Sequence, residues 1–338
     1  MKTALTIITI LALSILTGCN GSAGAKKTSA EEGKVLLTVD FQQGRKLRYK
    51  FISSRTVEVD SDPAKSTAKS RKSTVGHLRE SLEMVIAYTP IEIDPLGPAI
   101  IKATCESVKV QRTSLTGKQN TRKDAVKNLA GRTFTFTVNA NGKIEDRSEL
   151  NKLIREMGKK AFRTKNKKGK IKEPDMIGDF IATQWFLWDS ISSIEKASKG
   201  IRVGQSWKSK LSVPNPMVLP KAREVTYKLD EIRQTEKGRL AVINSSYCPA
   251  ETVPSGWPNP YHGCGRFQLA GSIFGILRNY KVLSLQGRGE ELFNIDTGRI
   301  EQYEQNYQTQ LDASFPLPLG GVNPRITIKQ KIKSELVN

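Results

Sequence analysis

Two histidines, His77 and His262, are all that 338 residues provide, which argues against an acid–base enzyme built on imidazole. Acidic side chains are also scarce, with 33 against 54 lysines and arginines, so the formal charge is +21 at pH 7. The nucleophile elbow, the zincin helix and the Walker loop are missing, and Gly287-Arg288-Gly289 is too short to cradle a phosphate. No catalytic residue and no cofactor are assigned. An envelope hydrolase assembled from distant carboxylates and serines stays open as an alternative. The apolar run from Ala4 to Leu16 is too short to span a bilayer as a stable helix.

That run has the size of a secretory h-region and follows Lys2. It ends in Leu16-Thr17-Gly18-Cys19, which resembles the lipobox of bacterial lipoproteins. The resemblance implies cleavage before Cys19 and acylation of its thiol, with residues 1–18 discarded as a signal peptide. Residues 19–33 are rich in Gly, Ser, Ala and charge and read as a flexible tether. The implied location is the cell envelope, lipid-anchored, and Asn20 in place of an aspartate after the cysteine points to the outer membrane facing the periplasm. Export also changes the meaning of the basic charge. Nucleic acid gives way to anionic lipid, wall polymer or another envelope protein as partner.

The body divides into residues 34–200 and 201–338, each β-rich, with two helices in the first. Leu78, Leu82, Met84, Ile86 and Tyr88 share one face of a strand, against Arg79, Ser81 and Glu83 on the other. Phe134, Phe136 and Val138 alternate with threonines, and Leu47, Tyr49 and Phe51 with Arg48 and Lys50, after a shorter strand over 35–40. Later strands are expected at Trp207 to Val213, Val225 to Leu229, Leu240 to Val242 and Ile326 to Ile332. One helix is expected over 148–162, and a second from Pro174 to Gly200, apolar around most of its circumference. The expected class is therefore α+β, mainly antiparallel β, as curved sheets or half-barrel-like halves with two helices between them. Similar Gly-containing turns at 138–145 and 295–301 leave open a duplication of the halves.

Gly204-Gln205-Ser206-Trp207 and the Asp296 to Ile300 hairpin are similar to short motifs of exported bacterial lipoproteins. An anchor, a tether, a basic body and no catalytic set together lead to the expectation of a non-enzymatic binding or scaffold module. A half-barrel carrying lipid or lipoprotein is the alternative, by analogy of fold.

Four groups of side chains are candidates for function. With Cys19 acylated, Cys248 and Cys264 bracket a Pro/Gly-rich excursion and are expected to form a disulfide in an oxidising compartment, while Cys105 stays buried and free. Cys248, His262 and Cys264 lack a fourth ligand and a zinc-module spacing, so no metal site is expected. Lys159, Lys160, Arg163, Lys165, Lys167, Lys168, Lys170 and Lys172 form an acid-free basic run, readable as a contact for an anionic surface or as a solvated loop. Beside it, Trp185, Phe186 and Trp188 read either as contacts for an apolar ligand or membrane or as a plug on the open face of a sheet.

Overall fold

The computed structural model describes residues 33–63, 75–94, 97–113, 125–153, 156, 180, 183–184, 186–210, 223–250, 278–314 and 323–337. Segments that alternate buried and exposed side chains fold as strands, because successive residues of a strand point to opposite faces. A short β1 (Lys34–Val35) precedes β2 (Leu47–Asp60), β3 (Val75–Ile93), β4 (Ala99–Arg112), β5 (Thr133–Val138) and β6 (Ile144–Asp146). The second series is β7 (Ile201–Arg202), β8 (Ser206–Lys208), β9 (Arg223–Thr235), β10 (Gly238–Pro249), β11 (Arg278–Asn294), β12 (Arg299–Ser314) and β13 (Arg325–Val337).

β1 pairs with β7, and the remaining eleven strands form one sheet in the order β6-β5-β4-β3-β2-β13-β12-β11-β10-β9-β8, antiparallel throughout. The chain starts at the centre of this sheet, meanders to one edge, reappears at the opposite edge and returns to the centre. The first long strand therefore pairs with the last, Phe51 opposite Ser334 and Arg55 opposite Gln330. Mainly antiparallel β is the outcome, but the expected pair of half-barrel-like halves is replaced by one continuous, open sheet. Thirteen ladder positions between β2 and β13 join the halves, and a sheet so joined presents one face to one core.

One face is apolar over most of its breadth. Leu82, Met84 and Ile86 of β3 lie in a common core with Tyr49, Phe51, Phe134, Phe136, Phe293 and Ile300. Burial of side chains this size contributes about 1.5–3 kcal/mol each, which is what fixes the register of strands this long. The strand expected over 35–40 is only two residues long; the chain beyond it crosses the core instead, with Leu37 buried and the Asp40 N–H donating to the Gly298 carbonyl at 3.0 Å. The two turns singled out for their glycines meet this crossing segment. Gly142 and Gly298 both have positive φ, and a Cβ on them would sit 3.1 Å from Val39 and 2.5 Å from the Asp40 nitrogen respectively.

The helices differ from expectation. Residues 148–153 and 156 are helical, but the second helix does not run unbroken to Gly200. It breaks at Leu187 and Trp188, resumes as a single turn, Asp189–Ser192, and gives way to a 3-10 turn, Ala197–Lys199. The physical reason is local: the Asp189 carboxylate and the Ser190 hydroxyl bond to Tyr227 and Glu291 of the sheet, while the Ser193 hydroxyl turns back onto Asp189.

Candidate functional site

Across β4, β3, β2, β13, β12 and β11, three consecutive residues at each strand, with Thr113 just past the end of β4, border an open trough with a volume of about 1240 Å³. The middle residues are Arg112, Glu80, Arg55, Gln330, Tyr307 and Gly287, and apart from the glycine all are buried. The residues on either side are exposed or half-buried. Since neighbours on a strand point to opposite faces, the trough lies on the water-facing side, and the middle row lies behind its floor.

Two adjacent rows make the floor. Register places Gln111, Ser81, Ser54, Lys331, Asn306 and Arg288 side by side on successive strands. Next to them run Thr113, Arg79, Thr56, Lys329, Gln308 and Gln286. These are hydroxyls, carboxamides and four cations, with no carboxylate. Lys331 holds Glu304 at 2.8 Å and Lys329 holds Glu58 at 3.1 Å. Arg79 and Arg288, one on each flank, have no acidic partner among the described residues. Six strands at the usual spacing give a floor about 24 Å wide.

The buried row behind the floor is ionic. Glu80 accepts from Arg55 Nε at 2.8 Å and from Arg112 Nη1 at 2.5 Å, and Arg55 Nη2 stands 2.7 Å from the same carboxylate. Burial opposes ionisation of Glu80, but the two guanidiniums outweigh it and hold the carboxyl below its ordinary range. Tyr307 donates to Gln330, which donates in turn to Ser53 at 3.0 Å. Gly287 and Gly289 belong to the same construction: a Cβ on either would come within 2.6 Å of Tyr307 or Ser245, so only glycine lets those side chains lie flat on the inner face. Arg288, between them, projects into the trough. The Gly-Arg-Gly run is thus a packing device rather than a phosphate loop.

A second polar centre is closed. Asp189 accepts from Ser193 (3.0 Å), Ser209 (2.7 Å) and Tyr227 (2.5 Å), while Ser190 donates to Glu291 at 2.7 Å and its carbonyl accepts from Trp207 Nε1 at 2.7 Å. Two carboxylates converge here, and both are buried, Asp189 being 1% and Glu291 2% exposed. Desolvation, opposed by the Ser190 hydrogen bond and reinforced by Asp189, pushes Glu291 up to about 8. A carboxyl raised in this way keeps its proton in the fold while the unfolded chain ionises above its ordinary value of 4.5. Its contribution is therefore complete below that value and lost as pH rises towards 8. Glu291→Gln, which still accepts from Ser190, should melt higher than the parent at pH 8 and match it near pH 4.5. Parallel profiles for the two proteins would contradict this.

The residues singled out by sequence fall unevenly. Cys19, the basic run Lys159 to Lys172, Trp185 and Cys264 lie outside the described residues. Cys105 is buried, and desolvation followed by the Glu106 charge pushes its thiol up to about 12, so it is unreactive. Cys248 carries a free, exposed thiol on β10. Phe186 and Trp188 correct the reading as membrane contacts. Phe186 stacks on Tyr303 at 6.3 Å, and Trp188 packs edge-on to Phe41 and Tyr88, both residues being buried, so no surface of either is left for a bilayer. Sequence reasoning passed over the trough, Asp189 and Glu291. The signal was present in Arg55 and Glu80, charged residues in phase with Phe51, Val57, Leu78 and Leu82.

Neither protein-family models nor curated proteins match the chain. Among solved structures, lipovitellin, described for its lipid–protein interactions, aligns with a TM-score of 0.44 at 10% identity over 88% of this chain, which spans 26% of that one. DynF from the dynemicin biosynthesis pathway of Micromonospora chersina aligns with a TM-score of 0.19 at 7% identity, over 94% of this chain and 92% of its own. OpdQ of Pseudomonas aeruginosa gives a TM-score of 0.17 at 8% identity, over 86% and 98%.

Proposed function

We propose that this chain is a non-enzymatic, lipid-anchored protein of the cell envelope that holds an anionic partner against the water-facing side of its sheet. The observation that carries this reading is the trough floor: twelve polar side chains on six neighbouring strands with four cations and no carboxylate. A general excess of basic residues would scatter acids among them, whereas here the acids stand outside the rows. A carrier of apolar cargo would place its ligand on the inner face, but the described trough opens on the other side. The lipobox supplies the anchor and the tether supplies reach.

The test uses the chain with Cys19→Ala, which removes the anchor. It should leave the membrane fraction, and once soluble it should still sediment with isolated envelopes at low salt and release between roughly 0.1 and 1 M salt, as the Debye length falls from about 10 to 3 Å. Salt-independent sedimentation, or none at any salt, would contradict a charge-held partner. Unchanged fractionation of the variant would remove the anchor.

A further inference from the structure

Resting on that reading, we infer that the partner is an acidic glycan, a hydroxyl-rich chain with spaced anionic groups, lying across the strands with Arg79 and Arg288 clamping two of its charges. The two arginines are the cations of the floor without an acidic partner among the described residues, since Lys329 and Lys331 are held by Glu58 and Glu304. Arg79 stands on β3 and Arg288 on β11, four strand spacings apart, or about 19 Å. A single compact anion cannot reach both. Between them, the sites that meet a ligand are Ser54, Thr56, Asn306 and Gln308, hydroxyls and carboxamides that both donate and accept. Such a set suits sugar hydroxyls. It does not suit a bilayer, which needs either apolar side chains to insert or mobile cations on a convex surface.

Guanidinium is the fitting cation here, because it grips a carboxylate or phosphate in two parallel hydrogen bonds and so fixes its direction as well as its charge.

Alginate oligosaccharides of graded length provide the probe, titrated into the full chain beside polyglutamate and phosphatidylglycerol vesicles. Affinity should rise with oligomer length until the chain spans about 19 Å, four strand spacings, and then level off. Arg79→Gln or Arg288→Gln should each reduce the long oligomer to the affinity of a short one, on the order of tenfold. The double variant should bind more weakly again, because the clamp that each single variant keeps is removed as well; both positions are exposed, and an unchanged thermal midpoint confirms that the fold is intact. Polyglutamate binding as tightly as alginate would overturn recognition of a glycan, as would affinity that never depends on length. Vesicles binding where alginate does not would overturn this inference and leave an anionic partner standing. Failure of all three probes, with salt-sensitive envelope association retained, would overturn the glycan alone; loss of that association as well would remove both readings.

Discussion

Glu80→Gln should cost this fold roughly 3–5 kcal/mol, the range for removing one partner from a buried ion pair. Arg55 has no side-chain exposure and Arg112 has 7%, so neither guanidinium can recover hydration when Glu80 loses its charge. Glutamine has the right size and one acceptor oxygen, which isolates charge from packing. The same logic sets the acid limit of the parent. A carboxyl held below its ordinary value contributes stability above that value and loses it as pH falls. The parent should weaken on acidification in a way the variant does not share. Replacing all three, Arg55→Met, Glu80→Leu and Arg112→Met, should restore most of the loss, since well-packed apolar groups often equal a buried triad. Urea unfolding measures each. A change below about 1 kcal/mol for Glu80→Gln would mean that water reaches the triad, outside the range for a buried pair.

The strands were legible where their alternation was apolar. Leu82, Met84, Ile86 and Tyr88 announce β3, and Phe134, Phe136 and Val138 announce β5, because a half-buried strand writes its two faces in alternate residues. β12 was not announced. Its inner face carries Tyr303, Gln305, Tyr307 and Thr309, and with polar residues on both faces no period stands out. The joining of the two halves through β2 and β13 was equally hidden, since pairing between residues nearly 280 positions apart leaves no local mark.

The site was less legible than the fold for the same reason. Ser54, Ser81, Lys331, Asn306 and Arg288 come from five strands and become neighbours through register alone. By contrast the basic run from Lys159 to Lys172 is contiguous and therefore conspicuous, which is a property of the sequence and not of the surface. The helix from Pro174 misled in a different way. Its apolar circumference reads as burial on more than one side or as a surface for lipid or ligand; the described Phe180, Phe186, Leu187, Trp188 and Ile191 are buried, and Asp189 and Ser190 find their partners Tyr227 and Glu291 on β9 and β11. Cys105 needed no partner: an apolar strand setting suffices to predict an inert, buried thiol.

The central claim is that the trough, rather than the basic run, meets the anionic partner, and chemical labelling separates the two within one protein. The Cys19→Ala chain is treated with arginine- and lysine-selective reagents, free and bound to isolated envelopes, and the modified peptides are quantified by mass spectrometry. Guanidiniums engaged in bidentate hydrogen bonds are shielded from the reagent, while cations that only share a diffuse field still exchange with it. Arg79 and Arg288 should therefore be protected by an order of magnitude or more on binding, with Lys159 to Lys172 labelled equally in both states. Protection confined to Lys159 to Lys172, with Arg79 and Arg288 labelled as in the free chain, would contradict the account.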